Sequence, residues 1–307
     1  MSADDDTRRG LIYGASAYLL WGLFPLYWPL LEPAGTVEIL AQRMAWSLIV
    51  MTILLGVTRG FGRVRAVIAD RRQLRLLLAA AVVVTVNWGV YIYGVNSHHV
   101  VETSLGYFIN PLFTILLGVF VLGERLRRAQ WAAVGIGAVA VLVIAVDYGR
   151  PPWIALTLAT SFGLYGLFKK RAAVGAVESM TVETAAMFVP AVIALAVVAA
   201  QGNLAFGSHG VGNSLLLAGT GLVTAVPLLL FAAGTRRLPL SVIGLLQYLA
   251  PVLQFSVGVG IRHEPLPPAE LVGFLLVWVA LVVLTVDGLR AQRRAVALAD
   301  SAEAIAV

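Results

Sequence analysis

The sequence predicts an all-α integral membrane protein of ten transmembrane helices, arranged as two inverted five-helix repeats. Three observations lead there. Hydrophobic residues make up 60% of the 307 and charged residues 12%, with a mean hydropathy of +0.89, far outside the usage of water-soluble domains. The stretch Leu105–Arg128 returns as Leu245–Leu266 at an offset of 140 residues, so that Pro111 and Glu124 match Pro251 and Glu264, Gly94 matches Gly234 and Leu126 matches Leu266. The basic residues, finally, gather almost entirely in alternate loops.

A hydrocarbon core about 30 Å thick needs roughly 20 apolar helical residues to cross it. The runs that qualify are, in order, about Leu11–Leu31, Val37–Val57, Leu74–Val95, Val100–Leu122 and Gln130–Val146, then Trp153–Phe168, Met180–Ala200, Ser214–Thr235, Leu240–Ile261 and Ala269–Asp287, each bounded by Gly, Pro or charge. The first is too long for a signal-peptide core and lacks a small-residue cleavage site, so it is expected to remain as a span. Residues 1–148 form the first repeat, 149–290 the second, and 291–307 a frayed, Ala- and Arg-rich cytoplasmic tail. A shorter echo, Ser16–Phe24 against Ser161–Phe168, supports the same division.

Cytoplasmic loops carry the Lys and Arg excess. One set of alternating loops holds Arg8, Arg9, Arg59, Arg63, Arg65, Arg71, Arg72, Arg75, Arg125, Arg127, Arg128, Lys169, Lys170, Arg171, Arg236, Arg237, Arg290, Arg293 and Arg294. The other holds only Arg150 and Arg262. Both termini are therefore expected in the cytoplasm. Five spans per copy is an odd number, so the second copy must run the opposite way through the membrane, the arrangement from which secondary transporters are built. The basic residues form no patch interleaved with stacking aromatics, which argues against a nucleic-acid partner.

Pro25, Pro111, Pro190, Pro227 and Pro251 lie within predicted spans, where each removes a backbone donor and can kink its helix. Of these, Pro25, Pro111 and Pro251 are the expected kinks around a cavity.

Arg43 is the one basic side chain well inside a span, and a charge at that depth is a functional candidate by default. It suits a carboxylate or phosphate, or an internal ion pair with Glu38 or Glu102. Asn87, Trp88, Tyr91, Tyr107, Asn110, Gln247 and Tyr248 supply rings and fixed polar groups of the kind that line a small-molecule site. Trp28 and Trp153, near helix ends, read as interfacial belt. Glu102, beside His98 and His99, is a candidate proton coupler; the adjacent histidines diverge on a helix, so no metal site is expected. Glu38 and Glu183 read as first-turn acids that complement a helix dipole, and Gly135, Gly137, Gly163 and Gly166 as close-packing surfaces.

There is no cysteine, hence no thiolate chemistry. No phosphate-binding loop or metalloprotease signature occurs, and no serine-nucleophile elbow. No cofactor is called for.

Ala17–Leu31 (AYLLWGLFPLYWPLL), Glu38–Ser47 (EILAQRMAWS), Asn87–Asn96 (NWGVYIYGVN) and Glu102–Leu112 (ETSLGYFINPL) with the turn Gly123–Leu126 (GERL) resemble the EamA-type drug/metabolite transporters over nearly the whole chain. That resemblance implies a ten-helix inverted-repeat permease of the bacterial inner membrane, working without an ATPase subunit. Members commonly place a His before the arginine matching Arg43, where this chain has Gln42.

The expectation is a secondary-active permease for a small organic, carboxylate-bearing or amino-acid-like solute, with lipid as its surroundings. The alternative is an intramembrane enzyme acting on a lipid-linked substrate, for which His98, His99 and Glu102 are the available cluster.

Overall fold

Proline and glycine decide where helices begin and end in the computed structural model, which describes residues 3–123, 125–235, 237–238, 242 and 246–306. Glu124 and Leu245, both marked by the repeat, lie outside the described residues. Among these residues every regular element is a helix.

Helix α1 (Ala3–Gly22) stops short of the predicted Leu31 because Pro25 and Pro29 withhold donors from the helical ladder. The chain continues as α2 (Phe24–Tyr27), with Pro25 in its first turn, and a tighter 3-10 turn, Trp28–Leu31. The first span is thus a broken helix. After α3 (Thr36–Val57) comes α4 (Phe61–Ala69), where the sequence pointed to a basic loop. Val64 and Val67 of α4 pack toward Leu74, Leu77 and Val174.

Helix α5 (Arg71–Asn96) opens ahead of Leu74 because the Asp70 carboxylate accepts the N–H of Arg72 at 2.8 Å and of Gln73 at 3.1 Å, a cap worth about 1 kcal/mol. Helix α6 (Val100–Leu122) matches its predicted run, continues through Pro111, and closes at Gly123, whose φ of +68° suits a residue without Cβ. Then follow α7 (Arg128–Tyr148), α8 (Trp153–Ala172), α9 (Ala176–Ala200), α10 (Gly210–Thr235), α11 (Leu249–Gly260) and α12 (Pro268–Ala306).

Two expectations change. Pro251 sits in the first turn of α11, not mid-helix like Pro111; at a helix start its missing N–H would have been unpaired anyway. The predicted frayed tail is helical as far as Ala306, a continuation of α12.

Among the described residues, seven helices are long and apolar enough to cross a membrane: α3, α5, α6, α7, α9, α10 and the first part of α12. This is a multi-pass, all-helical membrane protein. Its outward faces carry large apolar side chains, with Phe120 79% and Val146 81% exposed, a surface that suits lipid and not water. Of the other predicted spans, α1 is broken, α8 ends on Lys169, Lys170 and Arg171, and α11 covers only part of the ninth.

The helices pack as α3 with α9 and α10, α5 with α8 and α9, α6 with α8 and α11, α1 with α10 and α11, and α7 with α12. Glycine permits the tightest approaches. A Cβ on Gly106 would lie 2.8 Å from the Ala155 carbonyl oxygen, and one on Gly221 would lie 2.6 Å from Trp46 backbone. Gly137 and Gly163 also meet neighbouring helices, at Leu112 and Phe113, whereas Gly135 and Gly166 face open space. One core joins Phe24, Trp28, Ile39, Tyr91, Ile154 and Leu217. A second joins Phe108, Phe255, Phe274 and Trp278.

Candidate functional site

Helix α3 turns Glu38, Gln42, Arg43 and Ser47 inward. Arg43 is 3% exposed. Its Nε donates to Thr224 Oγ1 on α10 at 2.8 Å, and the Thr224 hydroxyl in turn donates to the Thr220 carbonyl at 2.8 Å. The guanidinium carbon lies 3.7 Å from the centroid of Trp88, 5.1 Å from Trp28 and 5.9 Å from Phe24. Desolvated cation–π contacts of this kind contribute about 2 kcal/mol. Arg43 Nη1 is buried and has no partner.

Tyr91, one turn along α5 from Trp88, is 3% exposed and its hydroxyl also lacks a partner. Its ring meets Tyr107 edge-on, with centroids 5.6 Å apart. The Tyr107 hydroxyl donates to Asn87 Oδ1 at 3.2 Å, and Asn87 Nδ2 donates to the Leu158 carbonyl at 3.1 Å and to Ser161 Oγ at 2.9 Å. Asn87 therefore ties α5, α6 and α8 together. Of the predicted set, Arg43, Asn87, Trp88, Tyr91 and Tyr107 are thus joined by direct contacts or shared helix faces.

Asn110 lies farther along α6, facing Gly163 of α8, with its Oδ1 buried and unpartnered. Gln247 and Tyr248 stand elsewhere. Tyr248 packs in the second core and lines an apolar cavity of about 380 Å³ with Phe108, Trp278 and Thr285. Successive residues of a helix diverge by about 100°, so Tyr107 faces one core and Phe108 the other.

Neither expected ion-pair partner meets Arg43. Glu38, 1% exposed, accepts the backbone N–H of Ala205 at 2.9 and 3.1 Å and of Phe206 at 2.9 Å. Glu102 accepts the N–H of Ile154, at the start of α8, at 3.1 Å, and Arg150 Nη2 at 3.4 Å. Glu183 pairs with Lys169 at 2.8 Å and accepts the Tyr165 hydroxyl at 3.1 Å; Lys169 also meets Ser179 Oγ. Glu38 does stand in the first turn of α3, but Glu183 is the eighth residue of α9, whose first-turn acid is Glu178; both carboxylates act as buried clamps. His98 Nδ1 lies 3.5 Å from Arg262 Nη2, and among the described residues no group of three or more His, Cys, Asp or Glu could hold a metal ion.

Trp28 corrects the sequence reading. It is fully buried because the 3-10 turn after the helix break carries its ring toward Arg43. Thr224 and Ser47 were not singled out. The signal available was spacing: Ser47 follows Arg43 by one helical turn, and Thr220 and Thr224 repeat that interval on α10.

The EamA-like transporter family matches this chain twice, over residues 8–146 and 151–286. The chain belongs to the EamA-like transporter family. It is similar to Protein RarD of Streptomyces exfoliatus, with 56% identity over 98% of this chain and 96% of that protein. It also resembles Uncharacterized transporter YojE of Bacillus subtilis, 42% identical over 94% and 97%, and Protein RarD of Escherichia coli, 40% identical over 94% and 97%. A solved crystal structure shares the EamA-like chain's fold, with a TM-score of 0.58 over 90% of this chain and 97% of its own at 20% identity. Membership makes this a membrane transporter for small solutes.

Proposed function

We propose that this protein is a secondary-active permease that moves a small organic metabolite or drug-like solute across the inner membrane of a bacterium, by alternating access between two inverted five-helix halves, with both termini cytoplasmic. The observation that carries this reading is Arg43. Its guanidinium comes from one half, is fastened to Thr224 of the other, and keeps an unpartnered, buried Nη1. A cation at such depth is costly and is kept where it binds something. Rocking of two repeats around a midplane site is how inverted-repeat carriers expose it to either side.

Helix pairing supports the repeat. Exchanging α1, α3, α5, α6 and α7 for α8, α9, α10, α11 and α12 turns the α5–α8 contact into α10–α1, α6–α8 into α11–α1, and α5–α9 into α10–α3. The pairs α3–α9, α6–α11 and α7–α12 map onto themselves. In this reading Arg43 anchors the solute and Asn87, Trp88, Tyr91, Tyr107 and Asn110 line its site. Gln247 and Tyr248 join as α11 moves, with Pro25, Pro111 and Pro251 as the flexing points. Glu102 braces the start of α8.

The absence of native cysteine makes single-cysteine variants clean reporters. Arg65→Cys is expected to label from the cytoplasmic side and Asn203→Cys from the outside. In proteoliposomes, exchange of radiolabelled aromatic acids, amino acids or a phenicol is expected to vanish in Arg43→Ala while the variant stays folded. Normal exchange by that variant, or labelling of both cysteines from one side, overturns the proposal.

A further inference from the structure

Around Arg43 the site is rich in donors and poor in free acceptors. Arg43 Nη1, Tyr91 Oη, Ser47 Oγ and Trp28 Nε1 are all buried without a hydrogen-bond partner. Ser47 lies one turn from Arg43 on α3, Trp28 stacks 5.1 Å from the guanidinium, and Tyr91 stands one turn along α5 from Trp88, whose ring lies 3.7 Å from the guanidinium. Arg and Trp nitrogens only donate, and hydroxyls can. Buried donors without partners cost free energy, so a convergent set calls for an acceptor-rich group.

The acceptors nearby are already used. Asn87 Oδ1 takes the Tyr107 hydroxyl, and Gln42 Oε1 takes Trp46 Nε1 at 2.9 Å. Glu38, on the same helix as Arg43, is filled by Ala205 and Phe206. On α8 and α9, Glu183 is paired with Lys169. The unpartnered acceptors on neighbouring helices, Asn110 Oδ1 and Gln254 Oε1, are neutral amides. No carboxylate among these groups is free to receive an ammonium.

A carboxylate has two oxygens with about four lone-pair positions, which matches the four donors. Its single charge balances one guanidinium, whereas a dianionic phosphate would leave a buried negative charge uncompensated. The walls formed by Trp88, Trp28 and Phe24 suit an apolar body. Building on the permease reading, we infer that the solute carries one carboxylate and no positive charge, with that carboxylate against Arg43 Nη1 and within reach of Tyr91, Ser47 and Trp28.

The test uses purified full-length protein and titration calorimetry with phenylacetate, phenylalanine, phenethylamine and phenyl phosphate. Phenylacetate is expected to bind at least tenfold more tightly than the other three. Tyr91→Phe is expected to weaken phenylacetate about tenfold, the loss of one donor to a charged acceptor, with an unchanged melting temperature. Arg43→Gln should abolish binding. Absent phenylacetate binding, equal or tighter binding of any comparator, or an unaffected Tyr91→Phe variant overturns the inference. Phenylalanine exchange in vesicles that depends on Arg43 would overturn the solute class and keep the permease. Phenylacetate binding without exchange of any solute would keep the anion site and remove the permease.

Discussion

Glu264 and Val100 are joined across the molecule: Glu264 Oε1 accepts the Val100 N–H at 2.8 Å, and its Oε2 accepts the Val101 N–H at the same distance. These are two of the unpaired donors at the start of α6, and a charged acceptor there also complements the helix dipole. Glu264→Ala should therefore destabilise the fold by about 3 kcal/mol, two charge-assisted bonds to buried amides. Thermal unfolding in detergent measures this, and an unchanged melting temperature would refute it.

Glu38 holds the segment between α9 and α10 through the amides of Ala205 and Phe206. Gly202 and Gly207, at φ of +73° and +82°, give that segment its turns. In Glu38→Gln, hydrogen exchange at Ala205 and Phe206 should speed up about tenfold, the loss of roughly 1.4 kcal/mol of protection. Unaltered exchange at both amides would show that the carboxylate is not what holds the loop.

Trp88 supplies the flat face under Arg43. Replacing it with Leu keeps an apolar wall and removes the ring's quadrupole. Solute affinity in Trp88→Leu is expected to fall about tenfold, against a threefold or smaller effect for Trp88→Phe. Equal losses in both variants would point to shape and not to the ring.

Asn87 binds the Leu158 carbonyl and Ser161 while receiving Tyr107. Asn87→Leu strands those groups in a buried setting and should cost about 2 kcal/mol or more. Tyr248→Phe, far from Arg43, should leave the affinity of the resting site unchanged. Parallel binding and melting curves on the two variants separate these effects.

Much of this was legible in the sequence, for reasons that differ by residue. Apolar length set α6 at Val100–Leu122, and a lone charge in an apolar run pointed to Arg43. What escaped depends on contacts between distant positions. Thr224 lies 181 residues from Arg43, and nothing local distinguishes it from any other threonine in a hydrophobic helix. Trp28 looked interfacial because the break at Pro25 and Pro29 redirects the chain in a way that hydropathy does not register. Tyr248 was grouped with Tyr107 by composition alone, whereas opposite faces of α6 divide the two cores.

Three of the buried carboxylates reach across the chain's midpoint. Glu264 serves α6, Glu102 serves α8, and Glu38 serves the segment ahead of α10. Each half thus lends the other the acids that complete its helix starts and its turns. A fragment ending near residue 148, or one beginning there, would insert with orphaned amides and stranded acids. The two halves are thereby companions in folding, and co-expression of separate fragments should rescue what neither achieves alone.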